Sequence, residues 1–225
     1  MANVCSATVE YPAKKASSFT TGYRAKKPKA KIEFCLDDDS NWTKWTPVKA
    51  ARVFIKNQPS YPCDKSAALD AVKDIELKCA KNQIMEMLGR RDYSAFELTD
   101  KLSIYGYRQE TIDIALRRVQ ELHFQNDDRF TRYFIEERKR RGWGRRKIEV
   151  ELKRKGIDVG SIPGYPESYF SEDDDTARAQ ALISRKSIPE NRAFEKLVRF
   201  LMNKGFSYSI SASVVKDYIS GENNR

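Results

Sequence analysis

The residues best suited to do chemistry lie in one dense run, Arg138-Lys-Arg-Arg-Gly-Trp-Gly-Arg-Arg-Lys147. Continued to Lys155, it places ten Lys or Arg against two Glu within 18 residues. Lys139, Arg140, Arg141, Arg145, Arg146, Lys147 and Lys153 could neutralise phosphates, and Trp143 could stack on a base or a guanidinium. Gly142 and Gly144 mark a turn, and backbone amides at the start of the helix after it could approach an anion. The plainer reading is a solvated charged turn with Trp143 tucked between neighbouring elements. Arg199 and Lys204 form a second, sparser basic pair. A formal charge of +10 for 225 residues also points to an acidic partner, nucleic acid or an acidic protein groove.

Catalysis and metal binding find no residue set. The chain has one histidine, His123, between Leu122 and Phe124, with no nucleophile or carboxylate motif to complete a site, so a structural role is expected. Cys5, Cys35, Cys63 and Cys79 are 30, 28 and 16 residues apart, without a Cys-x-x-Cys pair, so no zinc set assembles at the usual spacing. Asp127, Asp128 and Asp173 to Asp175 each precede an apolar-periodic segment, which suits capping and the helix dipole better than acid–base work. Phosphate-loop, dinucleotide and nucleophile-elbow motifs are absent. No enzyme, metal or cofactor is expected. No apolar run reaches signal-peptide or membrane-spanning length, so a reduced, cytoplasmic protein without membrane contact is expected.

The elements that position the basic run are legible from a repeat. Leu98, Leu102, Gly106 and Tyr107 recur as Ile148, Leu152, Gly156 and Ile157, and again as Leu197, Leu201, Gly205 and Phe206, with the glycines 50 and 49 residues apart. Each copy reads as two helical turns stopped by a glycine at positive φ, and the period marks a tandem supersecondary repeat. Around it, three helices can be read per unit. Ser94 with Glu97, and Ser187 with Glu190, have the spacing of capping boxes. Ile112, Ala115, Leu116, Val119 and Leu122 share one helical face. The third helix of the second unit is the weakest, because Pro163 and Pro166 crowd the segment 158–170.

The expected fold is therefore all-α: an elongated, curved array of three helix-turn-helix-like repeats, at 71–125, 126–170 and 171–225. Residues 1–70 carry five prolines, the basic run from Arg24 to Lys31 and the acidic triplet Asp37 to Asp39. They lack helical periodicity, apart from a β-like Val53-Phe-Ile55, and read as a partly disordered, weakly structured extension dispensable for folding.

Four stretches in this order resemble the RecX family of bacterial recombinase regulators: Tyr93 to Leu102, Asn126 to Phe134, Gly142 to Leu152 with Gly156-Ile157, and Lys196 to Phe206. The resemblance spans roughly residues 76 to 220 and leaves the N-terminal extension outside it. It implies three tandem three-helix repeats that bind the RecA–DNA filament along its groove. It further implies limits on filament extension, strand exchange and co-protease activity, hence a role in recombination, DNA repair and the SOS response, with no catalytic residues. A monomer contacting the RecA filament, and DNA through it or directly, is expected. The rival reading is a helix-turn-helix DNA-binding protein acting without a recombinase.

Overall fold

A computed structural model describes residues 2–13 and 26–222, and Arg24 and Ala25 of the first basic run lie outside them. The chain divides into two compact units, residues 1–126 and 127–225.

The first unit opens with a sheet. Strands β1 (Asn3–Glu10), β2 (Ala30–Leu36), β3 (Asn41–Thr46) and β4 (Cys63–Asp64) form one antiparallel sheet in the order β3-β2-β1-β4. Between β3 and β4 runs a short helix, α1 (Val48–Phe54). The extension is thus folded wherever it is described, and Val53 and Phe54 belong to a helix instead of a strand. The overlooked signal was β2 itself. Ala30, Ile32, Phe34 and Leu36 alternate with Lys31, Glu33 and Cys35, the period-2 pattern of a strand with one buried face. Phe34 stacks on Trp42 at 4.8 Å and meets Phe54 edge-on at 5.9 Å, closing a core with Val4, Ile32, Ala68 and Val72.

Helix α2 (Lys65–Leu88) joins the extension to the helical part. Its first half lays Ala68 and Val72 on the sheet, while Cys79, Ala80 and Ile84 enter a second core with α3 (Ala95–Ile104) and α4 (Gln109–Glu121). Ala50 of α1 is buried in that second core too. A polar tie joins the layers where the cores meet. Glu76 is fully buried, accepts a 2.6 Å bond from the Thr46 hydroxyl of β3, and takes Nε and Nη2 of Arg108 at 3.1 and 2.9 Å. The residues read as an independent extension are one side of this unit's interior.

The second unit contains α5 (Asp127–Arg140), α6 (Arg145–Arg154), a 3-10 turn at Val159–Ser161, α7 (Glu172–Ile183), α8 (Ala193–Lys204) and α9 (Tyr208–Glu222). In the proline-rich segment, Ile162, Tyr165, Tyr169 and Phe170 pack against Phe130, Phe134, Ile148 and Leu152 where a third helix would otherwise lie. Ala179, Ile183, Leu197, Leu201, Phe206, Val214 and Val215 form the core of α7, α8 and α9.

The repeat pattern has the geometry its spacing implied. Gly106, Gly156 and Gly205 have φ of 91°, 74° and 99°. After each, the next amide donates back to the same leucine carbonyl: Tyr107 to Leu102, Ile157 to Leu152 and Phe206 to Leu201, at 3.0–3.2 Å. These are three Schellman ends, with the apolar residue after glycine buried on the last turn. Ser94 and Glu97 do form a capping box. Ser187 and Glu190 do not. Helix α8 starts only after Arg192, because a helix capped at Ser187 would need Ile188 in helical geometry directly before Pro189.

Removing Arg108 is expected to destabilise the first unit by about 3 kcal/mol, since it strands the buried Glu76 carboxylate. Denaturant unfolding of Arg108→Ala against the parent measures this. A loss under about 0.5 kcal/mol, the range of ordinary surface changes, would show that the tie is dispensable.

Candidate functional site

The basic run spans the end of α5, a tight turn and the start of α6. Gly142 turns the chain at φ 74°, and Gly144, just before α6, meets the C-terminal end of α8 backbone to backbone. The Gly144 amide donates to the Lys204 carbonyl at 2.8 Å, and the Arg146 amide donates to the Gly205 carbonyl at 3.0 Å. A β-carbon at Gly144 would lie 2.4 Å from the Gly205 carbonyl carbon, so only glycine permits the approach. This joint brings Lys204, in the third repeat, beside the turn carrying Arg145 to Lys147 in the second. It also changes the reading of the helix start, because Gly144 and Arg146 amides that could have met an external anion are donated to Lys204 and Gly205.

The cations divide into paired and unpaired sets. Lys139 is bound to Glu136 at 3.1 Å and its side chain is only 12% exposed, Arg141 pairs with Glu137, and Arg138 reaches the same Glu137 at 2.9 Å. Arg145 donates from Nε to Glu149 at 2.7 Å, and the Tyr165 hydroxyl donates to the same oxygen at 2.8 Å. Burial pulls the Arg145 guanidinium down, but the bond and charge of Glu149 together with Tyr165 outweigh it and hold the group above its ordinary value. Burial first, then Glu149, pushes the Tyr165 phenol well up. The count of two Glu against ten cations left out Glu136 and Glu137, which directly precede Arg138.

Trp143 is half-buried at the edge of the α5–α6 core. Its ring lies near Arg138, 4.9 Å from guanidinium carbon to centroid, and Lys147, 4.4 Å from ammonium to centroid. It therefore stacks within the protein, the plainer of the two readings above, and does not stand out as a platform for a base. Lys204 sits 5.7 Å from the Phe200 ring.

Four predicted residues remain exposed with no ion pair among the described residues: Arg140, Arg146, Lys153 and Arg199. Arg146 and Lys153 are seven apart on α6 and share one face, with Val150 between them, 52% exposed. Arg199 lies on a different helix, α8. Alongside, a cleft of about 460 Å³ is lined by Arg145, Arg146, Glu149, Glu172, Asp175 and Ser207. Its mixed charge does not suit an anion cradle. Burial pushes the Asp175 carboxyl above its usual range, opposed by Arg178 and Lys139. Sequence reasoning missed Val150 and Glu149, although their i+4 and i+3 spacing from Arg146 was available. His123 is exposed at φ 56° just beyond α4.

Among the described residues no group of three or more His, Cys, Asp or Glu could hold a metal ion, and no helix is long and apolar enough to cross a membrane. The fold is that of tandem helix-turn-helix-type repeats. Residues 80–118 match the family model for the first three-helix domain of RecX, and residues 126–160 match that for the second. Regulatory protein RecX of Legionella pneumophila (strain Corby) is 33% identical over 144 residues, covering 61% of this chain and 93% of that protein. Its counterpart in Caldanaerobacter subterraneus subsp. tengcongensis is 29% identical over 135 residues, 60% of this chain and 68% of the relative. A crystal structure of regulatory protein RecX superposes over 96% of this chain and all of its own, with a TM-score of 0.57 at 18% identity, a likeness of fold. The chain belongs to the RecX family of regulatory proteins.

Gly144→Ala is expected to cost about 1–3 kcal/mol, because the added carbon must push the α6 turn off the end of α8. Gly221→Ala in α9, where a β-carbon meets nothing within 4 Å, is the control and should be neutral or slightly stabilising. Equal unfolding midpoints for the two variants would contradict the joint.

Proposed function

We propose that this protein is a non-enzymatic regulator of the RecA recombinase. It binds the RecA–DNA filament and limits its extension, and with it strand exchange and co-protease activity. The observation that carries the reading is the α6 stripe of Arg146, Val150 and Lys153. Two cations with no ion pair among the described residues flank an exposed apolar side chain, in a chain of a regulatory family. Uncompensated cations on one helical face favour a polyanion or an acidic groove, and Val150 adds apolar contact that a purely solvated face would not offer. Arg140 and Arg199 are supporting contacts in this reading. Lys139, Arg145 and Trp143 hold the stripe in place through their internal partners.

The test is RecA filament assembly on single-stranded DNA, followed with and without the protein across a salt series. Arg146→Ala with Lys153→Ala removes two exposed charges at little expected cost to folding. Filament inhibition should weaken, and the log–log salt slope should flatten by about one unit for each lost phosphate contact. Inhibition that survives the double substitution unchanged at physiological salt would move the contact surface elsewhere. A gel shift with DNA alone separates the rival, since a DNA-binding protein acting without a recombinase needs no filament.

A further inference from the structure

The four cysteines, widely spaced in sequence, are sorted by the N-terminal sheet. Val4 pairs with Leu36 and Ser6 pairs with Cys35, so Cys5 has no partner of its own and the β1–β2 ladder is bulged there. Two residues of β1, Cys5 and Ser6, thus oppose the single residue Cys35. Burial shows which way they face. Val4, Ala7 and Val9 point toward the core, while Cys5, Ser6, Thr8 and Glu10 are exposed, a shift of one position at the bulge. In β2 the core face is Ala30, Ile32, Phe34 and Leu36, which leaves Cys35 on the open face with Cys5.

Ser6 is the residue paired with Cys35, and residues so paired have α-carbons roughly 4.5–5.5 Å apart; Cys5 is the next residue along β1, the extra one of the bulge, exposed on the same face. Neither sulfur is held by a distant element: Cys5 Sγ makes a 4.0 Å contact with the Asn3 carbonyl and Cys35 Sγ a 3.9 Å contact with the Leu36 carbonyl. The other two cysteines are set apart. Cys63 pairs with Val4 and packs with the core face, and Cys79 is buried in the α2–α4 core. Burial pushes both of those thiols up, away from the reactive thiolate.

We propose that Cys5 and Cys35 are a reversible redox modification site, a dithiol that closes to a cross-strand disulfide by exchange with a small disulfide of the glutathione type. The exposed Cys5 thiolate attacks one sulfur of that disulfide, forming a mixed disulfide and releasing one small thiol. Cys35 thiolate then attacks the Cys5 sulfur, expelling the second. Two protein thiols are oxidised by two electrons, the small disulfide is reduced, and the two protons leave on the released thiols. The bridge pins β1, the strand between the β2–β3 hairpin and the β4–α2 connection, to its neighbour.

The experiment treats the full-length native chain with oxidised glutathione, quenches by alkylation under denaturing conditions and maps peptides without reduction. Free thiols should fall from four to two, with a Cys5–Cys35 linked peptide lighter by two hydrogens than its reduced parts, reversible by dithiothreitol. Cys35→Ser should arrest the reaction at a lasting glutathione adduct on Cys5, whereas the parent should resolve that adduct to the Cys5–Cys35 link. A persistent Cys5 adduct in the parent protein, a Cys5–Cys63 link, or a link between two copies would each overturn the proposal.

Discussion

The joint between Gly144 and Gly205 governs the second unit. Helix ends carry unsatisfied amides and carbonyls, and each must find a partner or water. Here the start of α6 and the end of α8 satisfy one another, Gly144 amide to Lys204 carbonyl and Arg146 amide to Gly205 carbonyl. The exchange works only because both chains lack a side chain at the contact, and Gly205 also supplies the positive φ that ends α8. One residue type thus terminates a helix and admits a neighbour. The recurrence of the glycine in every repeat has a local cause, the Schellman end, and at Gly205 a tertiary use as well. At Gly106 the corresponding face meets the Lys29 side chain, and the Lys27 amide donates to the Ile104 carbonyl, so residues just before β2 satisfy the end of α3.

In the first unit the organising feature is a helix shared by two interiors. Twenty-four residues are long enough for α2 to lie on the sheet with one half and in a three-helix core with the other. Burying Glu76 between the two is tolerable only because Thr46 and Arg108 both reach it, one from each side. Such a group adds little net stability, but it is satisfied in only one arrangement of sheet, α2 and α4.

Charge on the second unit is better organised than its composition suggests. Glu136, Glu137 and Glu149 absorb much of the positive run into i, i+3 and i, i+4 pairs of modest individual strength. Of the predicted cations left without an ion pair among the described residues, Arg146 and Lys153 form a short stripe on α6, with Arg140 on α5 and Arg199 on α8. A partner would meet two or three positioned charges around Val150, and the internally paired residues would act by fixing where those charges stand.

How far the chain could be read follows from the range of the forces involved. Helix stops at Gly106, Gly156 and Gly205, the Ser94–Glu97 box and the apolar faces of α4 and α8 are set by neighbours within about seven residues, and all were visible in the sequence. So was the weakness of the helix expected at 158–170, where two prolines act locally. The alternation in β2 was equally local but was masked by the basic run that overlaps it. Three other features could not be read at all, because their partners are remote in sequence: the contact of Gly144 with Gly205, the burial of Glu76 against Thr46 and Arg108, and the β1–β2 register that sets Ser6 opposite Cys35 with Cys5 in the bulge. The list of cations was therefore written in the sequence. Which of them stay free for a partner was decided by the tertiary structure, since a lysine or arginine is available only when folding brings no carboxylate within reach.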